Sequence, residues 1–322
     1  MWRLGAFLSL LLGVVPLTPV EAQQVIRHET VVPLAAPLPP DRNIRLYARQ
    51  EGEAIFLLSP RSVALRGGVF PQGEAFAVDK TGNSRRADWG AIVPVAAAAH
   101  GSHVFLIQPE KGRLAGVLLD RNTGSRVPVA INGAPISAAL CERWLAILSS
   151  ASRHQATLSL FDLRGTFVQS ADIRSNGWMA FLSFANPELL LILQADFRVT
   201  SVSVGPPLAI GPTVELNGPE VEASRSRISQ LGGNAAQSQF FSGHIPGRQG
   251  NNLFFLSPYR HKDGARLVEF NPQGAQVASY RFVAEESGKA APLMVDFGRV
   301  AVDDERVWLV AANGSQFSFR RP

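Results

Sequence analysis

Four short polar turns recur along this 322-residue chain at nearly constant spacing. They are Asp88-Trp89-Gly90, Asn132-Gly133, Asn176-Gly177-Trp178 and Asn217-Gly218, set 44, 44 and 41 residues apart. A further step of 45 residues back from Asp88 reaches Asn43. Asn and Asp side-chain oxygens gathered around one axis suit a hard cation such as Ca²⁺, or the hydroxyls of a small polar ligand. The indoles of Trp89 and Trp178 would add flat faces on which a sugar or an aromatic ring could stack. The same residues have a plainer use. Asn-Gly and Asp-x-Gly tolerate positive φ, so a repeating fold would reuse them as turns, and the two indoles would then pack in its core.

Other chemistry is sparse. His100 and His103 stand three residues apart with no evident third metal ligand, and the remaining histidines are isolated. No Gly-x-Ser-x-Gly elbow, His-Glu-x-x-His pair or phosphate-binding glycine loop occurs. Gly67-Gly68 and Gly232-Gly233 lack the strand-to-helix context that a phosphate loop needs. The single cysteine, Cys141, excludes an internal disulfide and a cysteine zinc cluster, and it falls in an apolar segment as a small buried hydrophobe. The residues therefore name no catalytic set and no metal ligands.

The elements that would position these turns are short strands. With 46% hydrophobic residues, 18% charged and a net charge of +5, the chain can bury a full core and is not disordered. Apolar segments of four to eight residues alternate with Gly, Pro, Asn and Asp, and no amphipathic helix stands out. One segment type ends in a polar residue and a glycine turn: Ala75 to Gly82, Gly116 to Gly124, Leu158 to Gly165, Val199 to Gly205 and Leu267 to Gly274. Aligning Asp79, Asp120, Asp162, Val204 and Asn271 gives spacings of 41, 42, 42 and 67. A more apolar segment precedes each: Ala54–Leu58, Val104–Ile107, Trp144–Leu148, Leu189–Leu193 and Leu253–Leu256, with a sixth copy at Val307–Val310. A unit of about 42 residues holding four strands is the size of a propeller blade.

The expectation is an all-β, six-bladed β-propeller of about four antiparallel strands per blade, occupying residues 23–322 as one domain. The last blade has candidates for only three strands, so residues 25–32 are expected to supply its outer strand and close the ring. On this period and strand pattern the mature chain resembles the six-bladed propellers of the TolB-like and NHL-repeat type. In such propellers the connection between blades borders the mouth of the central channel. The resemblance thus implies a ligand site there, formed by Asn43, Asp88, Trp89, Asn132, Asn176, Trp178 and Asn217. It also points to gluconolactonase-like enzymes, which hold a divalent metal in the channel. Here Asp88 is one candidate carboxylate, with Glu51 or Glu53 as others, but no matching motif accompanies them. The fourth unit lacks the Asp, and the fifth is 25 residues longer. The excess, about 218–237, brings Glu220, Glu222, Arg225 and Arg227, either over the channel mouth or, if 220–228 is itself a strand, on the opposite face.

Residues 1–22 read as a cleavable secretory signal: Arg3, an apolar run from Leu4 to Val15, then Val20-Glu21-Ala22 before the cut. The run is short for a membrane anchor, and no later stretch is long enough. Export to the periplasm or beyond follows. Arginines supply 27 of the 31 positive charges but are scattered among acids, so no nucleic-acid surface is expected. The favoured reading is a monomeric, non-catalytic binding module for a protein or a small polar ligand. The alternative is a metal-dependent hydrolase or lactonase with its site in the channel.

Overall fold

In a computed structural model the described residues are 24–33, 43–50, 53–65, 68–152, 155–174, 180–194, 196–205, 207–231, 241, 243–247, 251–257, 264–286, 289–293, 295–303, 305–311 and 314–322. The chain opens with β1 (Gln24–Arg27) and β2 (Thr30–Val32). Blade 1 follows as β3 (Asn43–Gln50), β4 (Glu53–Leu65), β5 (Gly68–Val78) and β6 (Ser84–Ile92). Blade 2 is β7 (Ala98–His100), β8 (His103–Glu110), β9 (Arg113–Asp120) and β10 (Arg126–Val129). Blade 3 is β11 (Ala134–Leu140), β12 (Trp144–Ser152), β13 (Gln155–Asp162) and β14 (Phe167–Arg174). Blade 4 is β15 (Ala180–Asn186), β16 (Leu189–Gln194), β17 (Arg198–Ser203) and β18 (Ala209–Glu215). Helix α1 (Pro219–Leu231) leads to blade 5: β19 (Gly243–Ile245), β20 (Leu253–Ser257), β21 (Arg266–Phe270) and β22 (Gln276–Glu286), with a short β23 (Lys289–Pro292) folded back on β22. Blade 6 is β24 (Val295–Val302), β25 (Arg306–Ala311) and β26 (Gln316–Arg320), completed by β2.

Each blade is thus a four-stranded antiparallel meander. First strands touch from blade to blade, β24 with β3, β3 with β7, β7 with β11, β11 with β15 and β15 with β19, so they ring the axis. The core divides accordingly into six clusters, one per seam between blades. Strand alternation explains the division. In β12, Leu145 and Ile147 face blade 2, while Ala146 and Leu148 face blade 4. In β20, Phe255 faces blade 4, while Phe254 and Leu256 face blade 6. The second strands read as unbroken apolar runs because both of their faces are buried.

The recurrent Asp before each glycine turn is a cap for the hairpin between third and fourth strands. Asp79 Oδ1 accepts the N–H groups of Thr81 and Asn83 at 2.9 and 3.0 Å. Asp162 does the same for Arg164 and Thr166 at 2.9 and 2.8 Å, and Asn271 for Gln273 and Ala275 at 3.1 and 3.0 Å. The Thr81 hydroxyl and these N–H groups hold the Asp79 carboxyl below its usual range. Partial burial works against the same shift in Asp162, but its donors prevail. Blade 4, with Val204 at this position, ties its turn differently. Gln169 of blade 3 donates to Gly205 O at 2.6 Å and accepts from Leu208 N–H at 2.9 Å.

The N-terminal segment closes the ring, but as two strands. β2 pairs antiparallel with β26, Thr30 opposite Ser318 and Val32 opposite Gln316. β1 then crosses to the next blade and lies parallel to β22, from Gln24 opposite Tyr280 to Arg27 opposite Val283. His28 marks the step between them. Its ring stands edge-on to Phe317 at 5.6 Å, and its Nδ1 accepts the Glu285 N–H at 3.3 Å.

Candidate functional site

The meander assigns turns to faces. If a first strand starts at one face, the second hairpin and the connection to the next blade return to that same face. The mouth of the channel on this side is therefore bordered by the start of β3, the blade-to-blade connections and the hairpins between second and third strands. Asn43 begins β3 there, paired with Ser59. Asn132 is exposed in the connection from β10 to β11. Beside it Gly133 has φ of +82°, and a Cβ there would lie 2.6 Å from the Ser150 carbonyl oxygen, so the Asn-Gly pair meets a turn requirement. Asn217 stitches blades 4 and 5. Its N–H donates to Gly274 O and its carbonyl accepts from Gln276 N–H, both at 2.8 Å, while its side chain donates to Glu215 O at 3.0 Å.

Asp88 and Trp89 lie elsewhere. They sit inside β6, the outermost strand of blade 1, and not in the connection after it. Pairing with β5 jumps from Ala75–Ala87 to Gly73–Ile92, so residues 88–91 bulge out opposite Glu74. Asp88 is exposed and lines an open cleft of about 400 Å³ with Glu74, Arg86 and Gly90, where Arg86 pairs with Glu74 at 3.4 Å. This cleft is on the rim, three strands out from the axis, so Asp88 supplies no carboxylate to the channel. Trp89 is half-buried against the seam of blades 1 and 2, which contains Leu57, Ile92, Val104 and Leu106. Its carbonyl accepts from Gln108 Nε2 and Arg126 Nη2 of blade 2 at 2.7 and 3.2 Å. Asn176 and Trp178 lie outside the described residues. Asp88, Asn132 and Asn217 thus belong to a rim bulge and two separate connections, and the structure does not gather them.

The segment between β18 and β19 contains helix α1, entered through Pro219, whose missing N–H costs nothing at a first helical position. The helix sits in the seam of blades 4 and 5. Val221 packs with Leu193, Phe197, Phe255 and Phe270. Glu220 is buried, pairs with Arg266 of β21 and accepts from Ser279 at 3.4 Å. Glu222 and Arg225 pair at 2.8 Å, Arg225 also reaches Glu215 at 2.6 Å, and its guanidinium lies 5.8 Å from the Phe197 ring. Arg227 is in the last half of the helix.

Two buried polar groupings were not signalled by any motif. Where blades 6 and 1 meet, Gln316 Oε1 accepts the Tyr47 hydroxyl at 2.9 Å and an Arg49 N–H. Arg49 lies 3.8 Å over the Trp308 ring, whose Nε1 donates to Asp303 at 2.7 Å. Burial pushes the Tyr47 phenol well above its ordinary value. A polar residue at every second position of Gln316-Phe317-Ser318-Phe319 was the available hint. In β19, His244 is buried beside Ser183 Oγ at 3.4 Å, and burial, with Arg321 nearby, pushes its imidazole down to about 3. Among the described residues no group of three or more His, Cys, Asp or Glu side chains is arranged to hold a metal ion.

The fold is a six-bladed β-propeller. No protein-family model matches the chain, and no curated protein does. Solved structures similar to it include BamB from Moraxella catarrhalis, at 12% identity and a TM-score of 0.48, with 92% of this chain and 100% of that one covered. The propeller domain of the Trilobed protease from Pyrococcus furiosus is similar at 10% identity and a TM-score of 0.47, covering 88% and 94%. TolB from Acinetobacter baumannii is similar at 12% identity and a TM-score of 0.44, covering 84% and 63%.

Proposed function

We propose that the protein is an exported bacterial β-propeller acting as a non-catalytic binding module, its partner held at the channel-mouth face. The observation that carries this reading is asymmetry on that face. There β4 and β5 of blade 1 run on as a two-stranded arm past the ends of β3 and β6. Asn43 and Asn132 border the same face, and a protein or a small polar ligand is the occupant they suit. The side chains elsewhere that could do chemistry have structural work: Asp79, Asp120 and Asp162 cap turns, and Glu220 is paired inside a seam. Export rests on the signal-like residues 1–22, and among the described residues no helix is long and apolar enough to cross a membrane.

The test is a pull-down from periplasmic extract with the tagged mature protein, run with calcium and with chelator. A partner retained under both conditions supports the reading. Retention of nothing in either condition overturns it, and calcium-dependent lactone hydrolysis by the purified protein would replace it with the hydrolase. The mass of the periplasmic protein checks export: a chain still carrying residues 1–22 contradicts it.

A further inference from the structure

The two edges of the arm of blade 1 differ in the backbone donors they offer at the paired positions 62, 64, 69 and 71. β4 pairs with β3 only as far as Ser59, opposite Asn43, and β5 pairs with β6 only from Gly73. Beyond those points Arg61 to Leu65 pairs solely with Gly68 to Gln72: Arg61 with Gln72, Ser62 with Pro71, Val63 with Phe70, Ala64 with Val69 and Leu65 with Gly68. Among the described residues no third strand joins either edge. A two-stranded ladder left to itself is marginal in water, so a projecting one gains from a further strand.

The register says which edge can take it. With two residues between Leu65 and Gly68, the closing pair exchanges both hydrogen bonds. The bonded pairs are then 65–68, 63–70 and 61–72, and residues 62, 64, 69 and 71 turn their backbone groups outward. Pro71 fits this phase, since it has no N–H to give to the ladder. It also removes a donor from the β5 edge. The β4 edge keeps both N–H and C=O at Ser62 and Ala64. That edge faces the axis, because β3 lies on that side of β4. The chain that would prolong β3 along it carries Pro37, Pro39 and Pro40, three residues with no N–H.

Charge narrows the occupant. Residues 59–73 contain two arginines and no acid. The chain also shows that its blades accept an added strand, since β1 lies along the outer strand of blade 5. We infer that the β4 edge of the arm, at Ser62 and Ala64, captures an extended acidic segment of a partner protein by strand addition. This rests on the binding-module reading above and names the kind of partner. Backbone bonds supply the affinity, and Arg61 supplies the preference for acidic flanks.

The test uses the mature protein and two labelled ten-residue peptides, one alternating valine or threonine with glutamate, the other with lysine in place of glutamate, read by fluorescence anisotropy. The acidic peptide binds at least about tenfold more tightly than the basic one at low salt. Ala64→Pro blocks the β4 edge and abolishes binding. Val69→Pro, its cross-strand partner on the other edge, leaves binding intact, and both variants melt like the parent. Arg61→Glu reverses the peptide preference. Equal binding of the two peptides, equal loss in the two proline variants, or no binding by the parent overturns the inference. So does a concentration-dependent dimer in sedimentation that Ala64→Pro abolishes, which would give the edge to a second copy. Flotation with phosphatidylglycerol vesicles that Ala64→Pro leaves unchanged while Arg61→Glu removes it would give the arm to a lipid surface. A pull-down partner that survives Ala64→Pro overturns the arm and leaves the module reading standing; no partner with either form overturns the module.

Discussion

The seam between blades 3 and 4 and the seam between blades 6 and 1 solve the same packing problem with different forces. The first is almost wholly apolar. Cys141, Leu148, Leu158, Leu160 and Ile173 meet Leu182, Phe184, Leu190, Ile192 and Val202, and the polar ties, Leu182 N–H to Ser137 Oγ and the Gln169 amide to the Gly205 turn, lie outside this apolar set. The second surrounds its apolar residues with Tyr47, Arg49, Gln316, Trp308 and Asp303, joined donor to acceptor. The difference follows the chain. Blades 3 and 4 are made in order, and non-directional burial is enough to hold them. Blade 6 is assembled from both ends of the chain, and its β26 reaches β2 only through a ladder. Directed bonds from Tyr47 and Arg49 to Gln316 fix where β26 stands against blade 1.

The largest effect expected from this contrast comes from removing the closing segment. A mature chain without residues 24–32 loses the outer strand of blade 6 and the parallel strand on blade 5 together. Its melting temperature by circular dichroism falls by more than about 10 °C, or its transition loses cooperativity. Melting like the full chain would refute closure. Next in size is Leu158→Ala in the apolar seam. Leu158 is fully buried, and the cavity costs about 2–5 kcal/mol in denaturant unfolding. A cost under about 1 kcal/mol would mean that this seam tolerates gaps and that its packing is not what holds blades 3 and 4.

The two seams were also unequally legible in the sequence. Burial on both faces writes itself as an unbroken run, so Leu189–Leu193 and Trp144–Leu148 marked their strands, and the local cap at Asp79 or Asp162 marked the turns. Blade count and closure followed from these. The polar seam was hidden because Tyr47 and Gln316 are 269 residues apart and carry no common motif. Asp88 misled for a related reason: its Asp-Trp-Gly resembles a turn, yet the jump of pairing against β5 absorbs it into a strand as a bulge. Helix α1 was missed since it is polar nearly all round, and what keeps it helical is Val221 and Glu220 held in a seam. The arm was unread because it differs from its neighbours in length, not in composition.

Gln316→Leu sharpens the contrast at smaller cost. It removes the acceptor of both Tyr47 and Arg49, leaving a buried hydroxyl without its partner, and destabilises by about 1–3 kcal/mol. Adding Tyr47→Phe removes the stranded donor, so the double variant recovers part of that loss. If the polar seam acts only as filler, the two changes add instead. The double-mutant coupling, read from urea unfolding, separates these outcomes.

The seam of blades 4 and 5 stands between the two, mostly apolar but holding the Glu220–Arg266 pair and the His244 imidazole, and pH is the way to address that imidazole. His244 is pushed down to about 3 by burial and by Arg321, against 6.5 for the free side chain. Between those values the unfolded chain binds a proton that the folded one refuses. Stability therefore rises with pH through this window and gains nothing more from His244 above 6.5, with a slope of at most about 1.4 kcal/mol per pH unit. The carboxylates of Asp79, Asp120 and Asp162, held low, add their own loss at more acidic pH. Urea unfolding at pH 5 to 7 keeps clear of them. There the parent gains stability relative to His244→Gln as pH rises, and parallel curves would show that His244 opens to water in the folded ring. Such an opening would place the weak point of the propeller at the 4/5 seam, where helix α1 is inserted between the blades, and not at the seam where blade 6 meets blade 1.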